Sequence, residues 1–446
     1  MKTSNAMRIN IPKTAQKRIV IIGGGFAGLT LARKIQHLNY QIVLLDKLNY
    51  HQFQPLFYQV ATAGLEPSSI AYPLRKIFQR NKNVFIRITE VEAIEPENHR
   101  VVTSLGELRY DYLVIATGVE TNYFGNKKLA ENVIPMKSVS EALYLRNTLL
   151  NDFEKALVTT NYEERQKFVD IVIVGGGPTG VEVAGALAEL KNNIVPKDYP
   201  ELDNREVDIH LLQGTSRLLD GMSEQAGEAA LKYLTELGVE VKLNTLVTDY
   251  DGEFLTTKNG ERIAAKKVIW AAGVVGLTFP GIPATAYTRG KRLKVNRFHQ
   301  VEGLENIFAV GDACLMTEEK YPNGHPQVAQ VAMQQAANLA ENFKRQLKDK
   351  EPQPFSYKDK GSMATIGKHR AVVDLPFLKF HGLLAWFAWL FVHLLQLIGF
   401  KNRVFVFINW VWSYFTYDPS LRLIIKPKTK IAHLLDVEKE MVGKAA

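Results

Sequence analysis

Two segments of the chain share one pattern, a short apolar run that leads into three glycines and then into a helical stretch. The first, 18–28, reads Arg-Ile-Val-Ile-Ile-Gly-Gly-Gly-Phe-Ala-Gly, and the second, 170–180, reads Asp-Ile-Val-Ile-Val-Gly-Gly-Gly-Pro-Thr-Gly. A glycine turn between a buried strand and a helix brings backbone N–H groups and the positive end of the helix to a phosphate. The pattern therefore predicts two α/β dinucleotide-binding folds in one chain of 446 residues.

In the first copy, each of three spaced glycines has a separate role. Gly23 permits the tight turn, Gly25 lets the backbone approach a pyrophosphate, and Gly28 lets the following helix pack closely on the strand. The next strand, 41–45, leads into Asp46, where a carboxylate can accept hydrogen bonds from both hydroxyls of an adenosine ribose. We predict that this fold binds FAD.

The second copy repeats these roles at Gly175, Gly177 and Gly180, but its next strand, 207–212, leads into Gln213 instead of an acid. A carboxylate there would repel the 2′-phosphate of NADPH, whereas an amide forms hydrogen bonds without repelling it. The sequence therefore predicts a nicotinamide dinucleotide in this fold, with NADPH admitted as well as NADH.

Three charged side chains of the second fold each have two interpretations. Lys191 and Arg217 either pair with an additional phosphate or are solvated surface charges. Alignment of the two glycine turns places Glu182 opposite Thr30, so a carboxylate replaces a hydroxyl near the dinucleotide. Glu182 either positions the nicotinamide and relays a proton, or is a helix glutamate stabilised by the macrodipole.

Three further apolar segments end in small residues, which let the backbone pass close to a bound dinucleotide. The residues that we expect to contact the cofactors at these ends are Thr117 and Gly118, Gly273, and Gly311 and Asp312. Asp312 would accept hydrogen bonds from the ribityl hydroxyls of a flavin.

These five segments resemble the two-dinucleotide-binding-domain flavoproteins over nearly all of residues 18–345. Two local sequences narrow the resemblance. Residues 49–61, Asn-Tyr-His-Gln-Phe-Gln-Pro-Leu-Phe-Tyr-Gln-Val-Ala, and 329–335, Ala-Gln-Val-Ala-Met-Gln-Gln, are similar to the signatures of type II NADH:quinone oxidoreductases. Glu182 fits that family's pattern, whereas Gln213 departs from the acidic residue of its NADH-specific members.

The resemblance implies that Gln330 and Gln334 line a quinone pocket beside the flavin ring. Residues four apart lie on one helix face, so both amides can donate to a quinone carbonyl. The alternative is an alanine- and glutamine-rich surface helix.

The chain has a single cysteine, Cys314. Flavoprotein disulfide reductases need a cysteine pair beside the flavin, and sulfide-oxidising quinone reductases need reactive cysteines, so one cysteine argues against both classes. A structural disulfide and a thiolate zinc or iron–sulfur site are excluded for the same reason, and we expect no metal.

The formal net charge of +9 is typical of proteins that bind nucleic acid or an anionic membrane surface. The sequence has no helix-turn-helix, zinc-finger or RNA-binding signature, so we predict no nucleic-acid partner. The basic residues that flank the aromatic C-terminal region favour the lipid bilayer surface as a partner: Lys379, Lys401, Arg403, Arg422, Lys426, Lys428 and Lys430.

Residues 382–400 are almost wholly apolar and aromatic, apart from His393 and Gln396. Their number is close to the roughly 20 residues that a spanning helix needs. A basic turn at 401–403 and a second aromatic stretch, 404–417, follow. Two aromatic helices joined by a basic turn favour a peripheral anchor in the membrane interface over a transmembrane helix or a buried soluble helix.

We therefore predict an α/β protein with two Rossmann-like dinucleotide-binding domains and a C-terminal helical membrane-anchoring region. The FAD-binding domain is discontinuous, 18–150 and 290–370; the NAD(P)H-binding domain is 151–289, and the membrane-associated region is 371–430.

By the family resemblance, the chain is expected to be a non-proton-pumping NAD(P)H:quinone oxidoreductase. It would lie peripherally on the cytoplasmic face of the cell inner membrane and reduce a membrane quinone, ubiquinone or menaquinone. Two alternatives stay open, a soluble-type NAD(P)H:ferredoxin-like reductase and a membrane-attached flavoprotein that senses NADH. A homodimer is compatible with the sequence.

Overall fold

The computed structural model describes residues 9–416 and 421–425. Their helices of eight residues or more are numbered here in chain order. They are α1 (Phe26–Ile35), α2 (Val139–Leu157), α3 (Tyr162–Val169), α4 (Pro178–Asn193), α5 (Glu224–Glu236), α6 (Ala329–Gln346), α7 (Leu383–Gln396) and α8 (Phe400–Thr416).

Two parallel five-stranded sheets form the centres of two similar folds. In spatial order, the first contains Ile307–Ala309, Tyr112–Ile115, Arg18–Ile22, Gln41–Asp46 and Val84–Ile88. The second contains Ile134–Pro135, Val268–Trp270, Ile171–Val174, Ile209–Leu212 and Glu240–Lys242. In both, the glycine-turn strand is central and almost wholly buried, which explains its continuous apolar sequence. The predicted pair of Rossmann-like folds is confirmed.

Each fold also carries a three-stranded antiparallel sheet. The strands are Val91–Glu95, Arg100–Thr103 and Gly106–Arg109 in the first, and Val247–Tyr250, Phe254–Thr257 and Arg262–Ala264 in the second. The two folds are joined by antiparallel pairing of Val119–Thr121 with Val274–Gly276.

Strand pairing bears on where the domains begin and end. Ile134–Pro135 pairs with Val268–Trp270 in the second sheet, although it precedes the boundary predicted at 151. A further antiparallel sheet, formed by Ser362–Thr365, Ala371–Asp374 and Lys379–His381, contains the boundary predicted at 371. These pairings favour one domain boundary before residue 134 and another before residue 362. The domain boundaries predicted from the sequence remain predictions.

The apolar C-terminal region forms α7 and α8, with Leu397 to Gly399 between them. The basic turn predicted at 401–403 is wrong, because these residues lie in the first turn of α8. Within residues 9–416 and 421–425, no helix is both long enough and apolar enough to cross a membrane. Four residues of the predicted membrane-associated region lie outside the described residues: Tyr417, Lys426, Lys428 and Lys430.

The two C-terminal helices each bury one side and expose the other. Ala385 and Trp389 of α7 and Val406 of α8 are fully buried. α7 packs on the antiparallel sheet that ends at His381, and α8 contacts the short helix Pro67–Ile70. The large apolar side chains that stay exposed are Leu383, Leu384, Phe387, Phe391 and Leu395 on α7, and Phe400, Phe405, Phe407, Ile408, Val411, Trp412 and Phe415 on α8. We call this set the C-terminal apolar face.

A buried ion pair ties α2 and α3 to the second sheet. The ammonium group of Lys267, which has no exposed side-chain area, lies 3.2 Å from Asp152 Oδ2 of α2 and also donates to the carbonyl oxygen of Phe168 in α3. Lys155 pairs with the other oxygen of Asp152 at 3.0 Å, but its side chain is 58% exposed.

We expect Lys267→Met to lower the free energy of unfolding by about 3 kcal/mol, because it leaves buried acceptors without their charged donor. Lys155→Met removes an exposed partner of the same carboxylate and should cost less than about 1 kcal/mol. Urea denaturation of both variants measures the difference, and equal losses would contradict this account.

Candidate functional site

The first glycine turn has the geometry of a phosphate-binding cradle. Gly23 has φ of +102°, and a Cβ at this position would press on the backbone of Ala116, which follows the neighbouring strand Tyr112–Ile115. A Cβ on Gly28 would collide with the carbonyl oxygen of Gly23. Gly25 is different, because a Cβ there would meet no atom within 4 Å. Two glycines thus allow close packing, and the third leaves open space at the N-terminus of α1.

Asp46 lies at the end of its strand, against this turn. Its carboxylate accepts hydrogen bonds from the backbone N–H of Gly24 and, at 2.7 Å, from that of Leu48. Burial raises the pKa of Asp46, and these backbone donors lower it. The carboxylate is therefore held at the edge of the cradle, and its contact with the ribose of FAD remains a prediction.

The second turn repeats the same construction. Gly175 has φ of +111° beside the backbone of Ala271, a Cβ on Gly180 would collide with the carbonyl oxygen of Gly175, and Gly177 faces open space. Gln213 occupies the place of Asp46, since its Oε1 accepts a hydrogen bond of 2.8 Å from the N–H of the middle glycine. A neutral side chain thus caps the second turn.

The side-chain amide of Gln213 also contacts residues that the sequence reasoning missed. Its Nε2 donates to Thr215 Oγ1 at 2.6 Å and to Asp220 Oδ2 at 3.1 Å. Asp220 comes seven residues after Gln213, outside the spacing of the glycine motif. No sequence signal singles it out.

The other predicted cofactor contacts lie at the ends of the central strands. Thr117 and Gly118 follow the strand that ends at Ile115, and Gly118 has φ of +70° and open space where a Cβ would be. Gly273, with φ of +102°, follows the matching strand of the second sheet and lies near the ring of Phe124.

Gly311, which precedes Asp312, is held by the buried side of α6. The N–H of Gly311 donates to Gln335 Oε1 at 2.7 Å, and Gln335 is only 2% exposed. Burial raises the pKa of Asp312, while the charges of Lys137 and Arg292 lower it. The sequence reasoning missed Gln335, although helical periodicity places it on the buried face; Lys137 and Arg292 reach the site from distant segments.

Gln330 and Gln334 lie on one face of α6 and hold the same segment of chain. Gln330 Nε2 donates to Gly361 O at 2.9 Å, and its Oε1 accepts from Lys360 N at 3.0 Å. Gln334 makes the equivalent pair with the carbonyl oxygen and N–H of Lys358, at 2.9 and 3.0 Å. Each amide retains one N–H for a ligand. Their place in a quinone pocket remains a prediction.

Glu182 is buried in the second turn of α4, one turn beyond the N-terminal positions where the macrodipole acts strongly. Burial raises its pKa to about 8, and a hydrogen bond from the backbone of Thr365 lowers it. The pKa of Tyr58 is also raised, by burial first and then by the charge of Glu182. The geometry therefore favours a neutral, proton-carrying Glu182 over a helix-capping charge.

The segment 49–61 joins the first glycine turn to the C-terminal helices. His51 Nδ1 lies 3.0 Å from the carbonyl oxygen of Gly24. Gln59 Oε1 accepts from Trp410 Nε1 of α8 at 2.8 Å, and Gln59 Nε2 donates to Tyr58. A cavity of about 170 Å³ opens here, lined by residues that include Tyr58, Gln59, Trp386, Trp389 and Trp410.

Two matched nucleotide cradles on paired Rossmann folds define a flavoprotein that uses a pyridine nucleotide. Residues 17–336 match the family described as Pyridine nucleotide-disulphide oxidoreductase. Residues 360–416 match the NDH2 C-terminal domain. In the described residues, no group of three His, Cys, Asp or Glu side chains could hold a metal ion.

The chain belongs to the type II NADH:quinone oxidoreductases. It is 34% identical to the type II NADH:quinone oxidoreductase Ndh of Mycobacterium tuberculosis, over 96% of each chain. It is 31% identical to the type II NADH:quinone oxidoreductase of Haemophilus influenzae, over 80% of this chain and 87% of that one. The structure of NDH2 from Plasmodium falciparum in complex with NADH has the same fold, with a TM-score of 0.84, 23% identity and coverage of 92% of this chain and 100% of that one.

Glu182→Gln should remove a pH dependence of stability. In the folded protein the carboxyl group keeps its proton up to pH about 8, whereas in the unfolded chain it loses the proton near 4.5. The wild type therefore loses stability as pH rises through this window, by about 3 kcal/mol between about pH 5 and pH 8.

The neutral amide has no such loss. The stability gap, defined as the free energy of unfolding of the variant minus that of the wild type, should therefore increase with pH. Urea denaturation at the two pH values measures it. Glu341→Gln, which changes an exposed glutamate of α6, is the control and should leave the gap constant. A constant gap for Glu182→Gln would mean that this carboxyl group is already ionised at neutral pH.

Proposed function

We propose that this protein is a non-proton-pumping NADH:quinone oxidoreductase that uses FAD. The observation that carries the proposal is the repeated cradle, with Asp46 on one glycine turn and Gln213 on the other, in a member of the type II family. FAD, when bound, supplies the group that accepts a hydride and passes electrons on.

The first fold holds FAD through contacts that its residues are placed to make. The N-terminus of α1 and the open backbone at Gly25 accept the pyrophosphate, and Asp46 binds the adenosine ribose. Gln335 fixes the backbone at Gly311, next to Asp312. Burial raises the pKa of Asp312, and the charges of Lys137 and Arg292 oppose that rise, so they favour the form that would accept hydrogen bonds from ribityl hydroxyls.

The second fold binds NADH through the corresponding turn at Gly175, Gly177 and Gly180. Glu182 lies in the second turn of the helix that follows this glycine turn, and its raised pKa favours the protonated form, which could donate a hydrogen bond to the nicotinamide. Its burial excludes water from the carboxyl group, which keeps that proton in place until a partner binds.

The quinone is assigned to the face of α6 that carries Gln330 and Gln334. The two amides are fixed by the segment 358–361, so their free N–H groups have a set direction before a ligand arrives. The family name of the relatives supports a quinone as the electron acceptor.

Gln330→Ala and Gln334→Ala should each slow reoxidation of the reduced flavin by quinone about tenfold or more, because each removes a donor to the quinone carbonyl. Reduction of the flavin by NADH should be unchanged. Stopped-flow absorbance with a short-chain ubiquinone separates the two half-reactions. Gln327→Ala, at an exposed position before α6, is the control.

Normal reoxidation in both variants would place the quinone elsewhere. If NADH reduces the wild-type flavin but quinone does not reoxidise it, electron transfer to a ferredoxin-like protein or a sensing role replaces the proposed function.

The C-terminal apolar face is proposed to lie in the membrane interface, on the cytoplasmic side of the inner membrane. Its exposed aromatic residues include Phe391, 63% exposed, and Trp412, 63% exposed, and burial of such side chains in lipid is favourable. The exposed Lys379 and Lys401 lie in the same region, where they can meet anionic headgroups. A long-chain quinone would then reach the protein from the bilayer.

Phe391→Ser and Trp412→Ser should each weaken binding to vesicles of phosphatidylglycerol and phosphatidylethanolamine about tenfold, since each removes a large apolar side chain from the interface. Vesicle sedimentation measures this. Val158→Ser, at an apolar residue that is 81% exposed after α2, is the control. If vesicle binding is unchanged and dimers become monomers, the same face is a homodimer contact instead.

A further inference from the structure

A small hydrogen-bonded cluster surrounds the outer end of Gln213. Asp220 Oδ2 accepts from Gln213 Nε2 at 3.1 Å and from Thr215 Oγ1 at 2.6 Å. The Asp220 side chain is 45% exposed, so its carboxylate still faces solvent. We call Gln213, Thr215 and Asp220 the second-turn cluster.

The two glycine turns differ in where their negative charge lies. In the first, Asp46 both caps the turn and carries the charge. In the second, Gln213 caps the turn through Oε1, and its Nε2 holds a carboxylate supplied by Asp220. The chain thus has an acidic group one side chain farther out from the turn, although the residue that ends the strand is neutral.

Arg217, the nearby cation, is engaged within its own loop. Its guanidinium group lies 3.3 Å from Asp220 Oδ1 and donates to the carbonyl oxygens of Asp220 and Met222, at 2.7 and 3.2 Å. These bonds use Nε and Nη2, and a phosphate bound to the remaining N–H groups of Nη1 would lie near the negative charge of Asp220. Arg217 therefore does not offer a ready site for a 2′-phosphate.

Lys191, the other cation considered for that phosphate, lies at the wrong end of its helix. It is in the last turn of α4, thirteen residues after Pro178, which begins the helix at the glycine turn. At about 1.5 Å per residue, the two ends are roughly 20 Å apart. The charge of Lys191 acts instead on Asp170, before the central strand.

We propose that Asp220 selects NADH over NADPH. Its carboxylate, positioned by Gln213 and Thr215, accepts a hydrogen bond from the 2′-hydroxyl of the adenosine ribose and repels a phosphate at that position. The proposal rests on the proposed function, in which the second fold binds the nicotinamide dinucleotide. It assigns to Asp220 the discrimination that the neutral Gln213 does not provide.

The test compares kcat/KM for NADH and for NADPH, with a short-chain ubiquinone and the FAD-loaded protein. Asp220→Asn keeps the shape of the side chain and removes its charge. It should raise the NADPH-to-NADH ratio of kcat/KM at least about tenfold. Adding Gln213→Glu to that variant returns a carboxylate to the cluster and should restore the preference for NADH.

Glu240→Gln is the matched control, because it removes an exposed carboxylate from the adjacent strand of the same sheet. It should change the ratio by less than about twofold. An unchanged ratio in Asp220→Asn, or a rise that Gln213→Glu does not reverse, overturns the proposal.

A binding measurement keeps this test independent of turnover. Calorimetric dissociation constants for 5′-AMP and adenosine 2′,5′-bisphosphate should show the same change of preference in Asp220→Asn. If NADH does not reduce the wild-type flavin, the proposed function is wrong, and these constants alone decide the role of Asp220. Equal preference in wild type and variant then overturns it.

Discussion

The close contact between a glycine-turn strand and its helix is the constraint on which the rest of the structure depends. At Gly28 and again at Gly180, a Cβ would collide with the carbonyl oxygen of the first glycine of the turn. Only glycine allows this approach, and the approach places the helix N-terminus and the open backbone of the turn at the phosphate. Asp46 and Gln213 then complete cradles whose shape the backbone has already set.

The parts of the site come from segments far apart in the chain, and polar contacts hold them together. Gln335 fixes Gly311, the amides of Gln330 and Gln334 hold the segment 358–361, and Gln59 reaches Trp410 of α8. The first nucleotide cradle is thus connected to α8 through the segment 49–61, which contacts Gly24 at His51 and Trp410 at Gln59. A protein that takes electrons from a soluble dinucleotide and delivers them to a lipid-soluble quinone needs such a connection.

Burial sets the electrostatics of the site. It raises the pKa of Glu182 to about 8 and raises that of Asp312, but the two carboxyl groups have different neighbours. Lys137 and Arg292 favour the charged form of Asp312, whereas no cation is among the groups that act on Glu182. Nearby cations therefore oppose the effect of burial at Asp312, whereas at Glu182 only hydrogen bonds do.

The sequence by itself determined the two folds, their order and the apolar C-terminal region, because glycine spacing, buried strands and helical periodicity are local patterns. It also indicated that Gln330 and Gln334 share a helix face. Only the tertiary structure decided what those amides contact, where α7 ends and α8 begins, and how Asp220 meets Gln213. Those outcomes depend on the paths of loops and on contacts between distant segments. Neither leaves a periodic pattern in the sequence from which it could be predicted.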